Sequence, residues 1–370
     1  MREVDVTVVG GGVVGLAVAA ALAASGRSVV ILERQPAMGR GITSRNSEVI
    51  HAGLYYPEGS LKAALCVEGR RALYGWCQER RVAHRKLGKL VVATEEREVR
   101  TLEGLLEQGR RNGAGALEWL DGGEVARREP AVRALFGLYS PETGIVDAHG
   151  FCLSLLAEAE AHGALFLPHH ELISLMRPST DWSLEIRSDR GDRQRLGSSA
   201  VVLAAGLETE RLAILAGLDP DQHGFRQFPC KGDYFALRPG TSLKLSQLVY
   251  PVPAQAGLGI HATLDLNGAI RFGPDAEYID GTEDWTVSPG KTDLFARAVQ
   301  RYLPSLRPEW IHPDYAGIRP KLAGPGQGFR DFLIAEQSAA DCPGLVLCAG
   351  IESPGLTAAL AIGRRVVDLL

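Results

Sequence analysis

Three glycines and one acid near the start of the chain have a spacing that is typical of a chemical function. Gly10, Gly12 and Gly15 form the pattern G-x-G-x-x-G, and Glu33 ends the next apolar segment. The first glycine permits a tight turn, the second lets a pyrophosphate approach the backbone, and the third lets a helix pack closely on a strand. A carboxylate in the position of Glu33 accepts hydrogen bonds from an adenosine ribose. The pattern therefore predicts a dinucleotide-binding site.

A strand, a helix and a second strand must position these residues. Residues 6–9 are a β-branched run, typical of a strand buried on both faces. Residues 16–24 are rich in alanine and predict a helix, whose N-terminus offers N–H groups and a positive dipole end to the pyrophosphate. The segment SVVILE predicts the second strand, ending at Glu33. A βαβ turn that binds no ligand would explain the glycines but not the acid.

Composition and charge exclude several classes of protein. A chain of 370 residues is long enough for two domains, and its hydrophobic fraction of 45% and charged fraction of 23% are typical of a soluble globular protein. The net charge of −4 argues against nucleic-acid binding. The apolar stretch 13–24 is too short to span a bilayer, and Glu3 and Asp5 spoil the basic start of a signal peptide. We therefore expect a cytoplasmic protein.

The six cysteines show neither a CxxC pair nor the spacing of metal ligands. They predict reduced, mostly buried thiols. His169-His170 is too isolated to indicate a metal site, so no metal is expected.

Two later segments repeat the pattern of a strand that runs into a glycine. SAVVLAAG ends at Gly206, and GLVLCAG ends at Gly350, which is followed by a loop through Pro354-Gly355 and a predicted helix over 356–369. A helix that starts at such a loop faces an anion with its positive dipole end. In a flavoprotein that end can stabilise the negative charge of a reduced flavin.

Residues 226–318 have a different pattern, with short strands separated by turn signals. Asn267-Gly268 lies between two alternating runs and predicts a hairpin. We expect a mostly antiparallel sheet here, whose face forms the substrate platform.

Longer motifs resemble a known family. The N-terminal glycine pattern, GRGITSRNSEVIHAG and CAGIESPGLTAALAIG together resemble the D-amino-acid-oxidase-type flavoprotein superfamily. SRNSEVIHAGLYYPEGSLKA, GIVDAHG, YPVPAQAGLGIHATLDLNGAIRFGPDAE and AGIRPKLAGPGQGFRDFLI resemble the L-2-hydroxyglutarate dehydrogenase/oxidase family. The chain departs from that family in FPCKGDYFAL, where Lys231 puts a point charge in place of a guanidinium, and at Pro320-Lys321. These departures leave the exact hydroxy acid open.

The resemblance implies an α/β fold, with a Rossmann-like FAD-binding domain and an inserted α+β substrate domain built on a mostly antiparallel sheet. The FAD-binding domain is expected in residues 1–85, 146–225 and 319–370. The substrate domain is expected in residues 86–145 and 226–318, with the flavin between the two domains.

The residues expected to hold FAD come from all three segments of its domain. They are Gly10, Gly12, Gly15, Glu33, Arg34, Thr43, Ser44, Arg45, Asn46, Leu172, Gly206, Gly350, Ser353, Gly355, Leu356 and Thr357. An ordinary loop or helix cap is the alternative for Thr43 and Ser44. Arg45 and Asn46 either contact the flavin or tie down its loop, and Leu172 either flanks the adenine or packs in a strand.

The resemblance also implies a reaction, in which an L-2-hydroxy acid is oxidised to the 2-oxo acid by hydride transfer to flavin N5. Arg319 is implied as the anchor of the substrate carboxylate, which a guanidinium matches with two hydrogen bonds. Lys231 and Tyr250 are further candidates to contact the substrate. An ion pair, a solvated lysine and a packed tyrosine are the respective structural alternatives for these three residues.

The hydroxyl proton of the substrate must leave as the hydride moves, and a histidine titrates in the right range to accept it. His51, in EVIHAGLYY, follows the phosphate-contacting turn closely, and Gly53 would let the backbone pass near the flavin. His261, in LGIHATL, lies on the predicted substrate sheet, and it either accepts the proton or bonds the substrate. A histidine bonded only to backbone is the alternative for both, and a covalent link to the flavin is a further alternative for His51.

Two other functions remain as alternatives at this stage. One is an FAD-dependent oxidase or dehydrogenase of an amino acid or N-methyl amino acid, and the other is a flavin-binding module without turnover. Oxygen and a quinone are both candidate electron acceptors. A quinone would agree with peripheral association at the inner face of a membrane.

Overall fold

Three β-sheets and eight α-helices make up the described part of the chain. The structure is a computed structural model that describes residues 3–177, 180–253, 259–281 and 284–370. Residues 254–258, inside one of the family motifs, lie outside the described residues. The helices are α1 (Val13–Ala24), α2 (Leu61–Arg80), α3 (Glu96–Asn112), α4 (Gly122–Arg128), α5 (Ala148–Ala161), α6 (Thr209–Leu215), α7 (Thr292–Gln300) and α8 (Gly355–Leu369).

The strands follow in chain order. They are β1 (Glu3–Val9), β2 (Val29–Leu32), β3 (Val49–Ile50), β4 (His84–Arg85), β5 (Lys89–Ala93), β6 (Glu118–Asp121), β7 (Phe136–Ser140), β8 (Gly144–Val146), β9 (Leu165–Leu167), β10 (His170–Met176), β11 (Trp182–Ser188), β12 (Arg193–Leu203), β13 (Phe228–Leu237), β14 (Leu248–Pro251), β15 (Ala262–Leu264), β16 (Ile270–Phe272), β17 (Glu277–Tyr278), β18 (Ile311–Lys321), β19 (Leu333–Gln337) and β20 (Cys342–Ala349).

The first sheet is mixed and runs in the order β10-β11-β12-β1-β2-β9, with β20 paired to β12 and β19 paired to β20. Its centre is parallel, because β1 pairs in parallel with both β12 and β2. The four residues of β2 are all buried, as a strand covered on both faces requires. The predicted strand–helix–strand opening and the α/β fold class are confirmed.

Helices α1, α2, α5 and α8 share one apolar core with this sheet. Glycine lets their backbones approach each other. A Cβ at Gly363 of α8 would lie 2.6 Å from the carbonyl oxygen of Ala17 in α1, and one at Gly69 of α2 would lie 2.4 Å from that of Thr357 in α8. The three helices therefore pack at distances that no larger residue allows at these positions.

The second sheet has nine strands and is mostly antiparallel, in the order β17-β13-β16-β15-β14-β5-β7-β6, with β18 paired to β13. Its one parallel pair is β14 with β5. The hairpin predicted at Asn267-Gly268 is confirmed, because β15 and β16 pair antiparallel across a turn in which Gly268 has a φ of +84°.

The strands of the two large sheets fall in different parts of the sequence. All eight strands of the first sheet lie within residues 1–85, 146–225 and 319–370. The second sheet draws its strands from residues 86–145 and 226–321. A third sheet, β3-β8-β4, lies where these stretches of chain meet. The division into two domains stays a prediction.

All six cysteines are buried and free, as the sequence predicts. Within the described ranges, no group of histidine, cysteine and acidic side chains could hold a metal ion.

The packing of α2 predicts opposite effects for the same substitution at two of its glycines. Gly69→Ala should lower the free energy of unfolding by about 1–3 kcal/mol, because the new methyl group meets the backbone of α8. Gly75→Ala should raise it by about 0.8–1 kcal/mol, because nothing lies within 4 Å of that Cβ and alanine is the better helix former. Denaturant unfolding of both variants measures the difference. Equal effects would contradict the close approach of α2 and α8.

Candidate active site

A single cleft of about 1620 Å³ is lined by residues of both large sheets and by the loops that follow β1, β2 and β20. A pocket for a drug-sized ligand has a volume of about 300–1,000 Å³, so this cleft has room for a large cofactor together with a substrate.

The glycine turn forms one end of the cleft. Gly10 has a φ of +116°, and a Cβ there would lie 2.5 Å from the carbonyl oxygen of Ala204. Gly12 precedes the first turn of α1 without a side-chain cap, and that turn contains no acidic residue. A Cβ at Gly15 would lie 1.9 Å from the carbonyl oxygen of Gly10, so only glycine lets α1 sit this close to the turn. The helix thus points an uncompensated positive dipole end into the cleft.

Glu33 lies in the cleft beside this turn. Its carboxylate accepts the N–H of Gly11 at 2.7 Å and the N–H of Gln35 at 2.7 Å. Each carboxylate oxygen keeps further acceptor capacity for a ribose hydroxyl. The next residue, Arg34, also lines the cleft and pairs with Glu208 at 3.5 Å. Leu172 and Gly206 line the same end, and Leu172 is buried in β10.

Residues 43–46 form a hydrogen-bonded turn along the cleft. The Thr43 hydroxyl accepts the N–H of Val13 at 3.1 Å, and it therefore helps to cap α1. Asn46 donates its amide to the carbonyl of Thr43 at 2.6 Å and accepts the N–H of Glu48 at 2.6 Å. The guanidinium of Arg45 lies 4.9 Å from the ring centroid of Trp285.

This loop is also tied to the second sheet. The hydroxyls of Ser47 and Tyr234 are 2.7 Å apart, and the Tyr315 hydroxyl donates to the carbonyl of Asn46 at 2.6 Å. A Cβ at Gly317 would lie 2.3 Å from the carbonyl oxygen of Arg45. Glycine at this point of β18 therefore lets the loop and the sheet meet.

The C-terminal segment supplies the opposite wall. Helix α8 begins at Gly355 without a side-chain cap or an acid in its first turn, and Gly355 and Leu356 line the cleft. Ser353 lies 3.3 Å from His51 Nε2 and 3.1 Å from the hydroxyl of Tyr56. A second helix end of positive dipole thus faces the cleft.

Both candidate histidines line this cleft. His51 is half-buried, its backbone N–H donates to the Thr357 hydroxyl at 3.0 Å, and its Nδ1 has no hydrogen-bond partner among the described residues. Burial, together with the positive charge of Lys89, lowers the pKa of His51 to about 3. His261 is 5% exposed, and its ring stacks on that of Tyr250 with centroids 3.6 Å apart and an interplanar angle of 7°.

Arg319 lies in the same cleft and is held by backbone carbonyls. Its Nη2 donates to Asp275 at 2.6 Å and to Lys231 at 3.1 Å, and its Nε donates to Cys230 at 3.3 Å. Nη1 makes no hydrogen bond within the described residues and is left to meet a ligand. The guanidinium is therefore oriented before any ligand arrives.

Five of the predicted site residues do not line the cleft, and one of them is Gly15, which lies against the carbonyl of Gly10. The Lys231 ammonium pairs with Asp284 at 2.7 Å and also donates to the carbonyl of Thr286. Ser44 faces a smaller cavity of about 300 Å³ and donates to the carbonyl of Gly41. Thr357 is buried beneath His51, and Gly350 packs close to Leu322.

Sequence reasoning missed several residues that shape the cleft. Ser47, Tyr234, Asp275 and Trp285 all line it. Ser47 and Tyr234 stand inside motifs that the sequence analysis quoted, so their motifs were a signal. Asp275 also stands in a family motif, but it bonds Arg319 through its backbone carbonyl while its carboxylate pairs with Lys291, and no residue type predicts the carbonyl contact.

Comparisons with known proteins agree with this geometry. The model of a family described as FAD dependent oxidoreductase matches residues 5–369. A mitochondrial L-2-hydroxyglutarate dehydrogenase of Arabidopsis thaliana is 39% identical, across 99% of this chain and 83% of that protein. An L-2-hydroxyglutarate dehydrogenase of Salmonella houtenae is 29% identical, across 98% of this chain and 92% of its own.

Solved structures match over the whole chain. An L-alpha-glycerophosphate oxidase from Mycoplasma pneumoniae with FAD bound has a TM-score of 0.90 and 26% identity, covering 100% of this chain and 95% of that one. A glycine oxidase from Geobacillus kaustophilus has a TM-score of 0.84 and 24% identity, covering 100% of this chain and 95% of that one. At this identity the likeness supports the fold and nothing further.

The residues of the cleft fit FAD. Two helix ends without an acid in their first turns meet the need of a pyrophosphate and of a reduced flavin for positive dipoles, and Glu33 offers acceptors to the ribose. The predicted cofactor is therefore confirmed as FAD, while the role of each single residue stays a prediction.

The position of Glu33 predicts its effect on FAD affinity. Glu33→Ala should weaken FAD binding roughly tenfold or more, since a hydrogen bond to a charged group contributes about 1–3 kcal/mol. Glu33→Gln keeps one acceptor oxygen, so its FAD affinity should lie between those of the wild type and Glu33→Ala. Titration of the deflavinated protein with FAD, followed by fluorescence, gives the dissociation constants. Glu68→Ala, which removes an exposed acid paired with Arg364, is the control and should bind FAD normally. Unchanged affinity in Glu33→Ala would refute the ribose contact.

Proposed function

The chain belongs to the family of FAD dependent oxidoreductases, and from this premise we propose that it oxidises an L-2-hydroxy acid of the L-2-hydroxyglutarate type to the 2-oxo acid. The observation that carries the proposal is that one cleft brings Arg319, His51 and His261 together with the FAD-holding residues. The identity of 39% to an L-2-hydroxyglutarate dehydrogenase supports the substrate class. When bound, FAD supplies the redox chemistry by accepting the hydride that leaves C2 of the substrate.

Arg319 is proposed to anchor the substrate carboxylate. Three backbone carbonyls orient its guanidinium and leave Nη1 without a hydrogen bond among the described residues. A preoriented guanidinium costs less order on binding than a mobile one, and it fixes the position of C2. Lys231 already has a carboxylate partner in Asp284, so its contribution is proposed to be through the shape of β13.

His51 or His261 is proposed to accept the hydroxyl proton. The lowered pKa of His51 keeps its imidazole neutral, and so able to accept a proton, across the physiological range. A bound carboxylate favours the charged form and raises the basicity of the histidine when the substrate is present. His261 faces the cleft from the second sheet, where Tyr250 fixes its ring plane.

The electron acceptor is proposed to be oxygen or a quinone. Among the described helices, none has the length and apolar composition needed to cross a membrane. Cytoplasmic location, with or without peripheral attachment to the inner face of a membrane, stays a proposal.

The proposed function predicts which compounds reduce the flavin without oxygen. L-2-hydroxyglutarate should bleach the flavin absorbance at least as fast as the enzyme turns over, because the cleft offers both a carboxylate anchor and a proton acceptor. D-2-hydroxyglutarate, L-lactate, glycerol 3-phosphate, glycine and sarcosine should reduce it more slowly. Stopped-flow absorbance measures each rate. Faster reduction by glycine or sarcosine would replace the proposal with an amino-acid oxidase. No reduction by any of them would favour a module without turnover.

A variant arm of the same experiment tests the carboxylate anchor. Arg319→Lys should raise KM and lower kcat/KM while the flavin spectrum stays unchanged. Arg307→Lys, an exposed arginine that lies over Trp310, makes the same change away from the cleft and should have no effect.

The two histidines differ in the effect that their removal should have on the pH dependence of flavin reduction. Replacing the true base by alanine should slow reduction about 10²–10⁴-fold and abolish the loss of rate at low pH. In the wild-type protein that loss should begin only in acid, because the pKa of His51 is lowered to about 3 and the base stays neutral above it. Anaerobic reduction of His51→Ala and His261→Ala across pH measures both effects.

His162→Ala is the control for these variants, because His162 is an exposed residue at the end of α5. It should leave rate and pH profile unchanged. A near-normal rate in His51→Ala, with the acid limb intact, would assign the base to His261 or to neither.

A further inference from the structure

One buried lysine of the second sheet takes no part in the reaction proposed above. Lys89 is the first residue of β5, between Leu248 of β14 and Ser140 of β7. Only 1% of its surface is exposed. A lysine is rarely buried to this degree without an anionic partner.

The ammonium of Lys89 lies between two aromatic rings instead of beside a carboxylate. Its Nζ is 4.5 Å from the ring centroid of Tyr55 and 4.6 Å from that of Tyr250. Over the described ranges of the chain, Lys89 forms no ion pair with an acid. The faces of aromatic rings attract a cation, but they neutralise none of its charge. No opposite charge therefore cancels the charge of Lys89, and only the local dielectric screens its effect on the surrounding groups.

Both aromatic contacts lead to the candidate bases. The ammonium of Lys89 lies over the ring of Tyr250, and that ring stacks on the imidazole of His261 with centroids 3.6 Å apart. Tyr55, whose ring contacts Lys89, follows His51 closely in the chain, and the Cys66 thiol donates to the carbonyl of His51 at 3.4 Å. Lys89 thus lies behind the wall of the cleft that carries both imidazoles.

Three other titratable side chains near His51 are uncharged at neutral pH, and one acid is paired. On α2, burial raises the pKa of the Cys66 thiol to about 12, so the thiol stays protonated. In the loop after His51, burial raises the pKa values of Tyr55 and Tyr56 well above their usual range. In the loop before α8, Glu352 is paired with Lys62 at 2.9 Å. Two cations near His51 have no ion pair in the described residues: Lys89, and Arg70 of α2, whose guanidinium donates to the carbonyls of Ala52 and Ala114.

We propose that Lys89 is a positioning residue: its ammonium holds Tyr250 in the stack with His261 and, by charge repulsion, opposes protonation of His51 in acid. This inference rests on the proposed oxidation of a 2-hydroxy acid. Lys89 acts through its neighbours and does not line the cleft.

The effect has a pH range of its own. Burial lowers the pKa of Lys89 to about 7. Below that pH Lys89 is charged and opposes protonation of His51, and above it the charge and its effect disappear. The contribution of Lys89 should therefore grow as the pH falls below about 7.

Lys89→Met tests the inference, because it keeps the length of the side chain and removes the charge. Lys86→Met is the matched control, since Lys86 also contacts a tyrosine ring but is exposed and paired with Glu142. Anaerobic flavin reduction by L-2-hydroxyglutarate is followed from acid to alkaline pH. In Lys89→Met the acid limb should move to higher pH by on the order of one unit. Its rates should approach those of the wild type above about pH 7, and Lys86→Met should follow the wild type throughout.

A second readout does not depend on turnover. In holoenzyme with isotope-labelled histidine, the ring signal of His51 is assigned by its loss in His51→Asn. The protonated fraction of His51 in mild acid should rise up to about tenfold in Lys89→Met, as a shift of one unit implies. Because hydration of a loosened core would also raise the pKa of His51, Lys89→Arg, which keeps the positive charge, is measured beside Lys89→Met and should titrate close to the wild type.

The inference is overturned if Lys89→Met leaves both the acid limb and the His51 titration at their wild-type positions. Should Lys89→Met fail to fold, Lys89→Gln carries the same test. If L-2-hydroxyglutarate does not reduce the wild-type flavin, the proposed substrate falls, while the His51 titration still decides the role of Lys89.

Discussion

The close packing of α1 against α8 is the constraint on which the cleft depends. Gly363 brings the backbone of α8 onto that of Ala17 in α1, and Gly69 brings α2 onto α8 from the other side. Because the helices meet without intervening side chains, their N-termini are held at the same cleft. Two positive dipole ends in one cleft would repel each other, and a bound anion removes that repulsion. The helix packing therefore creates the anion site, and an anionic cofactor in turn stabilises the packing.

The loop over residues 43–51 joins the glycine turn at one end of the cleft to His51 and the C-terminal helix. It begins as a cap of α1 at Thr43, touches the second sheet through Ser47 and Tyr234, and ends at His51 under the C-terminal helix. Each of these contacts fixes the loop in a different direction. A histidine held by three separate elements keeps its position, as the proposed proton transfer within hydrogen-bond reach requires.

The sequence allowed the glycine turn, the acid at Glu33, the C-terminal helix and the hairpin at Asn267-Gly268 to be predicted, because each depends on local backbone chemistry. It did not reveal that Lys231 turns to Asp284 or that Lys89 lies between two tyrosines. A lysine at the end of a strand looks the same in sequence whether its tip reaches solvent, an acid or a ring. Its partner comes from a strand or loop far along the chain, and only the sheet order brings them together. The catalytic end of the site was therefore harder to predict than the cofactor end.

The buried cysteines have a consequence for how this protein withstands oxidants. Burial raises the thiol pKa to about 12 at Cys66, Cys77, Cys152 and Cys348. At neutral pH roughly one such thiol in 10⁵ is ionised, and the ionised form is the one that peroxide and alkylating reagents attack. With oxygen as the acceptor, one of the two proposed, peroxide would form next to the chain, and these thiols would be poor targets for it. The same property makes these thiols probes of local unfolding, because each becomes reactive only when the core around it opens.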